Sequence, residues 1–93
     1  MNDIVETILE QLGGRKMLVM TGAKVNSYSD SSLVLKLPIG KVRMFEVVYD
    51  SADDLYTVRT YNSKYNPMKK FDDVFCDDLI PLFERETGLY TGL

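Results

Sequence analysis

The period of the apolar residues changes twice along this chain, and that switch limits the fold more than any other feature. Ile4, Val5, Ile8, Leu9 and Leu12 form one stripe at a period of about 3.6, as in an amphipathic helix. Leu33, Leu35 and Leu37 then alternate with Val34 and Lys36, the pattern of a half-buried strand. Phe71, Val74, Phe75, Leu79, Leu82 and Phe83 return to helical spacing. A chain helical at both ends and extended between them must bury its helix stripes against a sheet, in a two-layer α+β sandwich.

Local signals set the boundaries. The spacing predicts a first helix over 3–12, with Asn2 positioned to accept from first-turn N–H groups and Gly13-Gly14 to stop it. Lys16 to Thr21 reads as a strand and 22–32 as a polar loop. Leu33 to Leu37 is a strand, and Pro38-Ile39-Gly40-Lys41 a turn. Over 42–49, Val42, Met44 and Val48 share a face with Glu46, while Phe45, Val47 and Tyr49 share the other with Arg43. Both faces are partly apolar, which places this strand at the centre of the sheet. A turn at 50–54 leads into a strand over 55–61, with Tyr56 and Val58 on one side and Thr57 and Arg59 on the other.

Residues 62–70 read as a polar loop and 71–75 as a short helical piece. Pro81 would cost about 3 kcal/mol in a helix interior. A break near Cys76, with a new helix from Asp77 or Asp78, puts Pro81 in a first turn instead. Gly88 is the expected helix stop, and Leu89 and Tyr90 are expected to fold back on the core. The expectation is one domain over 1–93: an N-terminal helix, a four-stranded antiparallel meander and a C-terminal helix.

Composition narrows the chemistry. The chain has no His, which removes the commonest general base and metal ligand. Its single Cys, Cys76, permits no intramolecular disulfide and no thiolate zinc site within one chain. The expected role of Cys76 is a buried or half-buried structural thiol. Gly13-Gly14-Arg15-Lys16 and Thr21-Gly22-Ala23-Lys24 match no Walker motif. No catalytic residues, cofactor or metal are therefore expected. An unpaired Cys, an N-terminus without a basic segment and no apolar run near the ~20 residues of a membrane span all point to the cytoplasm.

The charges are sorted by position. Residues 15–70 hold ten of the eleven Lys and Arg and a local net charge of +5, whereas the first fourteen residues carry −3 and the last twenty-three −5. The acidic ends coincide with the expected helices and the basic middle with the expected sheet. Lys16, Lys36, Arg43 and Arg59 on strands, with Lys24, Lys41, Lys64, Lys69 and Lys70 in connections, would give a positive surface. Tyr28, Tyr61 and Tyr65 add rings on which bases could stack. Among these, the residues expected to bind are Lys36, Arg43, Arg59, Tyr61, Lys64, Tyr65, Lys69 and Lys70. The plainer reading is that these cations solvate an open sheet and guard its edges. Asp72-Asp73 and Asp77-Asp78 are expected at helix starts, where Asp favours capping and the dipole.

Met20-Thr21-Gly22-Ala23-Lys24 and Cys76-Asp77-Asp78-Leu79, followed by Glu86-Thr87-Gly88-Leu89-Tyr90-Thr91, resemble small uncharacterised proteins of bacteriophages and prophages. Gly13-Gly14 and Asp54-Leu55-Tyr56 add to the likeness, and Pro81 departs from it. The resemblance implies a phage accessory protein in the bacterial cytoplasm and supplies no activity. The expected function is non-enzymatic binding of a host or phage protein, as a monomer or homodimer. The acidic helices or the Tyr/Lys loop at 61–70 would be the surface. The alternative is nucleic-acid binding by the basic sheet. The helix–strands–helix order is similar to that of double-stranded-RNA-binding domains, but Asp77-Asp78 stand where those carry a Lys cluster.

Overall fold

Asn2 opens the first helix as expected: its side-chain oxygen accepts a hydrogen bond from the Val5 N–H at 2.9 Å. The computed structural model describes residues 1–92. Helix α1 spans Asp3–Gln11 and buries Val5 and Ile8, with Leu12 buried just after it. Gly13 and Gly14, both at positive φ, turn the chain, and a second helix α2 runs Gly14–Thr21.

Five strands follow: β1 Lys24–Tyr28, β2 Ser32–Lys36, β3 Met44–Asp50, β4 Leu55–Tyr61 and β5 Pro67–Val74. They form one antiparallel meander in sequence order, β1-β2-β3-β4-β5, so β3 is central. A 3-10 turn at Cys76–Asp78 leads into α3, Leu79–Thr87. The α+β class and the meander agree with the sequence reading.

Three segments differ from expectation. Lys16–Thr21 is helical: Met17 and Thr21, four apart, are buried, and Val19 is exposed, which is a one-sided helical stripe. The segment expected to be a loop supplies the edge strand β1. Of its residues only Val25 is even half-buried, and a register shift between Val25 and Ser27 breaks its alternation.

The third difference is β5, expected as a loop and a short helix. Val58 pairs with Phe71 and Tyr56 with Val74, so β5 carries one residue more than β4 across that interval. Asp73 takes a φ of 55° within it. The bulge brings both Phe71 and Val74 to the core side three residues apart, which imitates helical spacing. Phe75, the next residue of the expected stripe, is exposed.

The end of the chain follows the expected break. Pro81 is the third residue of α3, where its missing N–H breaks no intrahelical bond. Gly88 closes α3 at φ 72°. Leu89 packs against the core, while Tyr90 points outward and Thr91 is buried. The helices cover one face of the sheet. Val5, Ile8, Leu12, Met17, Leu79, Leu82 and Phe83 pack on Leu33, Leu35, Phe45, Val47 and Val58. The Phe45 and Phe83 rings meet edge to face at 5.0 Å.

Candidate functional site

Two surfaces compete for a role: the sheet face that no helix covers, and a cleft on the opposite side where α1 meets the β3–β4 hairpin. The pairing register builds the first. Val34, Glu46, Arg59 and Lys70 lie in one row across β2, β3, β4 and β5, and Lys36, Met44 and Tyr61 in the next. This row mixes signs. Arg59 contacts Glu46 at 3.5 Å, and the Tyr61 hydroxyl donates to the same carboxylate at 3.0 Å. Lys70 contacts Asp72 at 3.5 Å.

The eight residues expected to bind do not form one surface. Lys36, Arg59, Tyr61 and Lys70 share the open face. Lys69 points to the helical side and contacts Glu86 of α3 at 3.1 Å. Arg43 donates from Nε to the Leu37 carbonyl at 2.8 Å and is half-buried. Lys64 and Tyr65 cap the β4–β5 loop. The Asn62 side-chain oxygen accepts from the Lys64 and Asn66 N–H groups, and this turn holds Tyr65 at φ 64° with its side chain exposed.

The layer-by-layer charge sorting also needs correction. Arg15 and Lys16 belong to α2, in the helical layer, and Asp72 and Asp73 belong to β5, in the sheet. Asp72-Asp73 therefore cap no helix, and Asp78 precedes α3 without a side-chain capping bond. Cys76, expected to be buried or half-buried, is exposed.

The cleft has a different construction. Asp3, Thr7 and Gln11 recur every four residues on α1 and so share one face, beside the apolar stripe that enters the core. Tyr49 and Tyr56 are paired across β3 and β4, with ring centroids 5.5 Å apart. Together with Ile4 and Asp54 these residues line an open cavity of about 240 Å³. The Tyr49 hydroxyl donates to Asp54 Oδ1 at 2.7 Å, and the Tyr56 hydroxyl donates to Gln11 Oε1. Asp54 takes a φ of 55°, a left-handed conformation that Asp tolerates better than most residues. Gln11 continues into a second depression with Cys76, Asp77 and Ile80.

Both phenols are held in the neutral form. The hydrogen bond to Asp54 raises the Tyr49 pKa, with desolvation and the Asp54 charge acting the same way. Burial raises that of Tyr56, the charges of Cys76 and Asp54 add to it, and the bond to Gln11 opposes them. At neutral pH the cleft thus offers hydroxyl donors already committed to neighbours, two carboxylates and an amide. Among the described residues no group of three or more Cys, Asp or Glu is arranged to hold a metal ion. No helix among them is long and apolar enough to cross a membrane.

Sequence reasoning passed over this cleft, although two signals for it exist. The polar residues at 3, 7 and 11 have helical spacing, and a turn at 50–54 sets Tyr49 opposite Tyr56. The Glu86-to-Thr91 string has structural partners: Glu86 holds Lys69, Thr87 Oγ1 accepts from the Leu89 N–H, and the N–H and hydroxyl of Thr91 donate to Glu84. Comparison with protein-family models, with curated proteins and with solved structures gave no match.

Proposed function

We propose that this chain is a small non-enzymatic binding module that acts by engaging another protein. One observation carries the choice of a protein over a nucleic acid: three of the six candidate cations, including the two in the central row of the open face, are already matched by acids. Arg59 has Glu46, Lys69 has Glu86 and Lys70 has Asp72. Arg43 is directed to a backbone carbonyl. Of the six candidate cations Lys36 and Lys64 have no ion pair among the described residues, and Lys24, which pairs with Lys36 across β1 and β2, and Lys41 have none either. Phosphate contact would therefore fall to the lysines at that end of the sheet and not to the central row. The short stretches that resemble phage and prophage proteins support the bacterial cytoplasm as the setting and a host or phage protein as the partner.

The reading is tested by two measurements on the purified chain. At low salt, labelled single-stranded DNA and double-stranded RNA should show no gel shift. Affinity capture from bacterial lysate should retain one protein at near-stoichiometric recovery after nuclease treatment. A salt-dependent shift abolished by Lys36→Glu with Arg59→Glu would instead assign the open sheet face to nucleic acid.

A further inference from the structure

The geometry points to the cleft between α1 and the β3–β4 hairpin as a receptor for an arginine side chain from a basic segment of the partner protein. This rests on the protein-binding reading above and adds the chemistry of the contact. Two carboxylates alone would be only a solvated acidic edge. Here they flank a cavity walled by aromatic rings. Asp54 gives Oδ1 to the Tyr49 hydroxyl, and no other hydrogen bond to its carboxylate occurs among the described residues. Neither Asp3 nor Asp54 has an ion pair among them, and no Lys or Arg lines the cavity.

Size and shape agree with that occupant. About 240 Å³ lies below the ~300–1,000 Å³ of small-molecule and cofactor sites, and suits a single long side chain. A guanidinium is planar, stacks on tyrosine rings and presents paired N–H donors to a carboxylate. The half-buried Tyr49 supplies the accessible ring, backed by the buried Tyr56, with Ile4 an apolar wall for the methylene stem and Asp54 and Asp3 the acceptors. Asp50 at the end of β3, Asp53 in the adjoining turn and Asp77 beyond Gln11 extend the negative field around the mouth and favour a segment with several positive charges.

The test is an NMR titration of the isotope-labelled chain with an acetylated, amidated Gly-Arg-Gly-Arg-Gly peptide. Its citrulline counterpart, which keeps the shape and loses the charge, is the control. Saturable shifts of the Thr7, Gln11, Asp54 and Tyr56 amides are expected, with a Kd at or below about 1 mM. The citrulline peptide, and Asp54→Asn with the arginine peptide, should each bind at least about fivefold more weakly. Asn tolerates the left-handed backbone that Asp54 adopts, so this variant keeps the fold, and its own spectrum verifies that. Raising salt from about 50 to about 300 mM should weaken the complex further.

Absence of shifts at those amides, or equal binding by Asp54→Asn, overturns the assignment. The two readings fail separately. Lysate capture that persists while the peptide leaves the cleft untouched removes only the arginine site. Peptide binding without any captured protein removes the protein-binding reading.

Discussion

Glu86 shows how much one carboxylate can organise in this domain. Its side chain is only 9% exposed, and it meets Lys69 of β5 at 3.1 Å and Arg85 at 3.2 Å, tying an edge strand to α3. Burial by itself would raise its pKa, but hydrogen bonds and charge from Lys69 and Arg85 outweigh that and lower it. A carboxylate whose pKa is depressed on folding stabilises the native state above its unfolded pKa, about 4.3. That contribution is lost as pH falls through the folded value. Both cationic partners are mostly exposed, so the effect is screened. Glu86→Gln should therefore cost about 0.5–1 kcal/mol at neutral pH in urea unfolding, and less at an acidic pH below the folded value. An equal deficit at both pH values would show that packing, not charge, is what Glu86 contributes.

At the scale of elements, two substitutions separate real constraints from apparent ones. Gly22 ends α2 at φ 74°, and a Cβ there would lie 3.1 Å from Pro38 Cγ. Gly22→Ala should cost roughly 1–2 kcal/mol for the left-handed backbone alone. Pro81→Ala should change stability by less than about 1 kcal/mol, because the first turn of α3 uses no N–H at that position. Thermal unfolding of both variants checks the contrast, and a larger loss for Pro81→Ala would mean that α3 starts elsewhere.

The same elements explain what could be read in advance. Strands β2, β3 and β4, the first helix and the break before α3 were legible because one face of each is buried and leaves a clean period. Edge strands β1 and β5 were not, because nearly all of their side chains are exposed and bulges interrupt their alternation. Helix α2 is eight residues long, and its apolar run Met17 to Met20 carries no period that separates helix from strand. The glycine pair stops α1 as expected, and it also turns the chain directly into α2. For the site, the individual residues were visible, but their grouping depends on register. The ion pairs Arg59–Glu46 and Lys70–Asp72 exist only because adjacent strands set those residues side by side.

For the whole molecule, the position of charge in the chain turns out to be a poor guide to its position in space. The sheet face is mixed in sign, whereas the mouth of the cleft is acidic on both sides. The two surfaces lie on opposite sides of the sheet, so they can be disabled independently. The central claim is that partner recognition runs through the cleft, and side-by-side affinity capture from bacterial lysate tests it most directly. Wild type, Asp54→Asn and the Lys36→Glu/Arg59→Glu pair would be compared by the recovery of the captured protein. The account predicts that Asp54→Asn reduces recovery about fivefold or more while the sheet-face pair retains it. Full recovery with Asp54→Asn, together with loss in the sheet-face pair, would contradict it.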